Sequence, residues 1–141
     1  MDLLDVNVLL SLAWPNHVHH KAAMSWMRRR RGQAWATTPF TEAGFVRVSA
    51  NRSLIPGAVT PFEALALLER MRDVSGHRFL ADSVELVVDP HVAREMLATH
   101  RSVTDMHLLA VARQHGARLV TFDRGIAALA QGRDVELLPF E

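Results

Sequence analysis

The sequence predicts an α/β fold in which a mostly parallel sheet is covered by helices on both faces. Short apolar, β-prone runs alternate with helical segments from one end of the chain to the other, the pattern such a sheet requires. No repeat, low-complexity tract or linker breaks the alternation, and 141 residues suit a single domain. A domain of that size buries roughly two-thirds of the surface its unfolded chain would expose. Acids stand at or near the ends of predicted strands, the edge where ligands gather in such sheets.

The first strand candidate covers Leu3 to Val6, and its apolar run continues through Val8, Leu9, Leu10 and Leu12 to Pro15-Asn16. Asp5 lies inside it. An unpaired buried charge is costly, so Asp5 must be paired, protonated, metal-bound or at the strand's solvent-facing end. Asp2 reads as a solvated terminal residue. A helix from about His17 to Arg31 carries Ala22, Ala23, Trp26 and Met27, and the arginines from Arg28 to Arg31 close it as a solvated cap favoured by the helix dipole.

Gln33 to Thr37 reads as a short strand. Thr38-Pro39 then supplies an N-cap followed by proline in the first helical position, opening a helix to about Asn51. Thr60 to Glu63 is a capping box, which gives Glu63 a structural role; its helix runs through Leu65, Leu67, Leu68 and Met71 to a break at Gly76. Phe79 to Val88 holds one or two short strands. Asp89-Pro90 caps a helix through Val92, Ala93, Met96 and Leu97. Ser102 starts the next helix, with Met106, Leu108, Leu109, Val111 and Ala112 on its apolar positions and Gly116 as a left-handed stop. Leu119 to Phe122 is a strand ending at Asp123, Ile126 to Leu129 a short helix, and Val135 to Leu138 the last strand.

Composition narrows the chemistry. A formal charge of +1 means that nucleic-acid contact must come from local patches, for which Arg47, Arg52 and Arg124 are candidates, although solvated helix positions are the more frequent case for Arg47 and Arg52. The absence of cysteine removes disulfides, thiol catalysis and Cys-ligated zinc, and suits a reducing compartment. The N-terminal apolar run is too short to span a bilayer and lacks a basic leader, so the expected location is cytoplasmic. His17, His19 and His20 lack HExxH spacing and read as a polar helix start. No two of the seven glycines have P-loop or dinucleotide-site spacing.

Two further acids are out of place. Asp105 shares a helical stripe with Leu108, Leu109 and Ala112, and Glu42 with Phe45, Val46 and Ser49. Each has a local explanation: Asp105 as a first-turn acid behind a Ser102 cap, Asp123 as a turn-former at a strand end. Together, Asp5, Glu42, Asp105 and Asp123 point to one edge of the sheet. Converging carboxylates raise one another's pKa unless a cation neutralises them. Mg²⁺ or Mn²⁺ suits an all-oxygen donor set, and such ions activate water for attack on phosphorus, so phosphodiester hydrolysis is the inferred reaction.

The motifs DVNVLL at Asp5, TEAGFVRV at Glu42, TDMHLLAVA at Asp105 and VTFDRG at Asp123 resemble the four acidic motifs of PIN domains, most closely those of VapC toxins from VapBC toxin–antitoxin pairs. The resemblance spans nearly the whole chain. It implies a three-layer α/β/α sandwich around a five-stranded sheet of order 3-2-1-4-5, and a Mg²⁺- or Mn²⁺-dependent endoribonuclease. Asp5, Glu42, Asp105 and Asp123 carry over as metal-binding acids, with Asn7 and Thr121 as supporting polar groups. An inhibitory VapB-type antitoxin and a homodimer are also implied. Trp14, Trp26 and Phe45 are groove candidates for that partner, although their helical spacing suits core positions better.

Two phosphoryl-handling alternatives fit less well. Phosphoaspartate receivers and haloacid-dehalogenase-like phosphatases need a late lysine, whereas Lys21 is the only lysine, and Asp5-Val6-Asn7 lacks the second aspartate of a DxD motif. The rival from another class is a catalytically silent PIN-like binding module. Retention of four acids favours catalysis.

Overall fold

In a computed structural model, which describes residues 1–30 and 32–140, the chain forms a five-stranded sheet with helices on both faces. In chain order the elements are β1 (Asp2–Leu4), α1 (Val6–Ala13), α2 (His20–Arg29), β2 (Trp35–Thr37), α3 (Pro39–Ser49), α4 (Pro61–Arg72), β3 (His77–Phe79), a 3₁₀ turn (Arg94–Met96), α5 (His100–Gln114), β4 (Arg118–Thr121), α6 (Arg124–Leu129) and β5 (Val135–Leu137). The order is β3-β2-β1-β4-β5 and every neighbouring pair is parallel, as predicted. Among the described residues no helix is long and apolar enough to cross a membrane.

The three layers follow from two-residue alternation along the central strands. Leu3 and Leu119 point to one face, where Met106, Leu109, Val111 and Ile126 from α5 and α6 cover them. Leu4 and Val120 point to the other, against Val8, Leu9, Trp26, Phe45 and Leu68 from α1 to α4. Both clusters are closed to solvent. Trp26 (3% exposed) and Phe45 (0%) lie in the second, which withdraws them as groove candidates, while Trp14 is half-buried and donates through Nε1 to Ser49 Oγ at 3.1 Å.

Several boundaries differ from the sequence expectation. The first strand stops at Leu4, because Asp5 caps a helix rather than continuing the ladder: its Oδ1 accepts from Val6 N–H at 2.7 Å. The second helix begins at His20 and ends at Arg29; Arg31, included in the predicted helix and arginine cap, lies outside the described residues. Val92 to Leu97 forms only a single 3₁₀ turn. Helix α5 starts two residues before Ser102. Thr99 is its N-cap, and the Thr99 N–H donates to Ser102 Oγ at 3.2 Å.

Asp2 is not solvated. It is 2% exposed, accepts from Arg118 Nε at 3.0 Å and pairs with Arg30, whose guanidinium lies 4.8 Å from the centre of the Trp26 ring. Arg118 also reaches Glu136 at 2.6 Å. Since Asp2 and Arg118 open adjacent strands in register, this ion network closes the amino-terminal edge of the sheet, opposite the edge where Asp5 and Asp123 stand.

Candidate metal centre

Two of the predicted acids sit at equivalent junctions. Asp5 links β1 to α1 and Asp123 follows β4 as the N-cap of α6, so parallel strands deliver both to the carboxyl-terminal edge. Each caps its helix through one oxygen, Asp123 Oδ1 accepting from Gly125 N–H at 2.7 Å. The second oxygen of Asp5 accepts from Thr121 Oγ–H at 2.6 Å. Thr121 is fully buried and also receives Asn7 Nδ2–H at 3.3 Å and the Asp123 N–H at 3.0 Å. Asn7 Oδ1 in turn accepts from Phe122 N–H at 3.2 Å. The two supporting residues named from the sequence therefore lie between Asp5 and Asp123.

Asp105 approaches on α5, which packs with α6 on the face of the sheet opposite α1. With the helix starting at His100, it falls in the second turn, and the first turn carries no acid. The helix-start explanation for Asp105 is correspondingly weak. Its stripe neighbours Leu108, Leu109 and Ala112 are buried, as the spacing predicted.

The electrostatics show which acids share a field. The Asp105 carboxyl is pushed up to about 6, first by desolvation, then by Asp123 and Asp5, with no hydrogen bond from the described residues to offset them. Burial also raises Asp5; the hydrogen bonds from Thr121 and Val6 oppose that rise, and Asp123 adds to it. Asp5, Asp105 and Asp123 thus compete for negative charge in one place.

Glu42 belongs to a different local set. In α3, which opens at Pro39 after the Thr38 cap, its Oε2 accepts from Thr37 Oγ–H at 2.6 Å, and Arg72 Nη1 of α4 lies 3.4 Å from both of its oxygens. Thr37 also receives His77 Nε2–H at 2.8 Å. Glu42 and Arg72 border a cleft of about 460 Å³ with Leu65, Leu68, Glu69 and Asp73. Thr37, His77 and Arg72 were missed in the sequence, because residues 37 and 77 meet only through pairing of β2 with β3 and neither carries a motif.

The other sequence candidates are placed as follows. Arg124 is exposed beside Asp123, its guanidinium 4.9 Å from the centre of the Phe140 ring, and Arg47 is exposed in the last turn of α3. The three histidines each have a local partner. His17 Nδ1 meets Ser11 Oγ at 3.2 Å, His20 Nδ1 meets the Ser11 carbonyl at 2.7 Å, and His19 stacks on Phe122 at 4.5 Å.

A model of the PIN domain family matches residues 3–132. The chain belongs to the PIN domain family. Ribonuclease VapC39 of Mycobacterium tuberculosis is 50% identical over 136 residues, covering 96% of this chain and 98% of its own. Ribonuclease VapC38 of the same organism is 50% identical over 141 residues, covering 98% of both. Within the PIN domain family the chain is therefore of the VapC type. Among solved structures, M. tuberculosis VapC20 shares the fold with a TM-score of 0.64 at 14% identity, over 91% of this chain and 94% of that one.

The donor set of this PIN domain fits a hard divalent cation. Asp5 and Asp105, whose proton affinity the charge of Asp123 helps to raise, gain from a nearby positive charge, and the three carboxylates offer only oxygen. Among the described residues no three Asp, Glu or His side chains are close enough to cage an ion by themselves. Mg²⁺ needs no such cage, since it keeps several waters and is ordinarily held by one or two carboxylates.

Proposed function

We propose that this PIN domain, acting as one domain over residues 1–141, is a metal-dependent endoribonuclease and the toxin of a type II toxin–antitoxin pair. The observation that carries the reading is the convergence of Asp5, Asp105 and Asp123 from two strand–helix junctions and from α5. The names of the relatives, both ribonucleases of the VapC type, support RNA as the substrate. A bound Mg²⁺ or Mn²⁺ would supply an activated water and stabilise charge on the leaving oxygen.

Asp5, Asp105 and Asp123 would hold the ion, with Glu42 completing the acidic set from the β2 side. Thr121 and Asn7 keep the Asp5 carboxylate turned toward its neighbours. Asp105, with its raised proton affinity, is the acid whose ionised form a bound cation would favour most. Arg124 beside Asp123 and Arg47 along α3 are the side chains assigned to substrate phosphates. The setting is a cytoplasm containing a VapB-type antitoxin, with the toxin as a homodimer.

Purified protein should cleave RNA in Mg²⁺ or Mn²⁺ and stop when chelator is added. Asp105→Asn should lower the rate at least about 100-fold, the equivalent of several kcal/mol of transition-state stabilisation, with circular dichroism unchanged. RNA left intact by the folded, metal-supplied wild type would instead identify a silent binding module.

A further inference from the structure

The bonds around Glu42 repeat, on the other side of β1, the arrangement around Asp5. We propose that Thr37, itself aligned by His77, is the positioning residue for Glu42, the counterpart on β2 of Thr121 aligned by Asn7 on β4. The proposal rests on the reading of Glu42 as one of the metal-binding acids.

Proton counting fixes the direction of each bond. A threonine hydroxyl carries one proton, and a carboxylate only accepts. Thr37 Oγ lies 2.6 Å from Glu42 Oε2 and 2.8 Å from His77 Nε2, so its proton goes to Glu42 and its oxygen accepts from Nε2–H. Thr121 lies 2.6 Å from Asp5 Oδ2 and accepts from Asn7 Nδ2–H at 3.3 Å. In both cases an N–H donor turns a hydroxyl, and the hydroxyl holds an acid. Both threonines are 0% exposed, and they end β2 and β4, the two strands that flank β1.

The relay is braced from behind. The His77 ring meets the Trp35 ring edge-on at 4.8 Å, and Trp35 is anchored by its Nε1–H donating to the Ser75 carbonyl at 3.2 Å. Burial, then Arg72, hold His77 below its usual range, and its Nε2 donor role survives in the neutral ring. Arg72 also pulls on Glu42, but at 3.4 Å from both oxygens and 42% exposed it makes a long, screened pair. The short, part-buried Thr37 bond therefore sets the direction of the carboxylate, and without it Arg72 would.

The test is Mn²⁺ titration calorimetry on Thr37→Val, Thr37→Ser and His77→Phe, with melting curves to confirm folding. Loss of a bond that orients a metal ligand typically weakens binding 10- to 100-fold, so Thr37→Val should fall about that far while Thr37→Ser, which keeps the hydroxyl, stays near wild type. His77→Phe should fall less than Thr37→Val but measurably, and it carries the test if Thr37→Val does not fold. Wild-type affinity in folded Thr37→Val or in His77→Phe overturns the proposal, as does a Thr37→Ser loss equal to that of valine. Failure of the wild type to bind Mn²⁺ overturns the reading of the acids themselves.

Discussion

Asp105 shows how much of a site lies in the surroundings of one residue. Its carboxyl is raised from the usual 3.8 to about 6 by burial, then by Asp123 and Asp5. The folded protein therefore binds this proton more tightly than the unfolded chain does. Stability follows the difference in bound protons between the two states, so the metal-free protein loses stability as pH rises from about 4 to about 6. Melting curves in chelator should show this decline, and Mn²⁺ should reverse it. Asp105→Asn should flatten it and stabilise the metal-free protein at neutral pH by on the order of 1 kcal/mol, after discounting for solvent screening. Asp5→Asn is a less clean substitution. Both Asp5 oxygens accept hydrogen bonds, so an amide nitrogen would face either the Val6 N–H or the Thr121 hydroxyl.

Among the elements, the crossing of α1 and α3 governs how Asp5, the cap of α1, and Glu42 of α3 sit relative to one another. Gly44 makes that crossing close: a Cβ built on it would lie 2.6 Å from Val6 Cγ2, the residue directly after Asp5. The valine is β-branched and stiff, so it cannot swing clear. Gly44→Ala should push the helices apart and cost about 1–3 kcal/mol, readable by urea denaturation, with a fall in RNA cleavage because Asp5 and Glu42 move with their helices. Unchanged stability would mean that the interface is looser than its packing indicates. The start of α5 teaches a related point. Ser102 has the composition of a cap but serves as the third residue of a box opened by Thr99, which moves Asp105 a turn deeper into the helix.

Over the whole molecule, the two edges of the sheet divide the work. The amino-terminal edge carries the ion network of Asp2, Arg30, Arg118 and Glu136, and the carboxyl-terminal edge carries the acids. Asp2→Ala would leave two guanidinium groups without their shared carboxylate. The expected loss is about 2–3 kcal/mol by chemical denaturation, below that of a fully buried pair because Arg118 is 43% exposed. Cleavage per folded molecule and Mn²⁺ affinity should not change. A loss of Mn²⁺ affinity in this variant would show that the two edges are coupled.

Alternation of strand and helix, the caps at Thr38 and Thr60 and the stop at Gly116 were legible in the sequence because each is a local property of a few neighbouring residues. The acidic motifs were legible too, since an acid on an apolar stripe is conspicuous in any register. Spatial pairing was not. The burial of Asp2 requires Arg118, more than a hundred residues away, to arrive beside it on a parallel strand, and Trp26 and Phe45 needed the sheet before they could be assigned to the core. The sequence alone determined the alternating architecture and singled out Asp5, Glu42, Asp105 and Asp123 as acids out of place. Only the tertiary structure decided that Asp5, Asp105 and Asp123 share one field while Glu42 is held by Thr37 and Arg72, because hydrogen bonds and charge act over a few ångströms between segments that the chain itself keeps far apart.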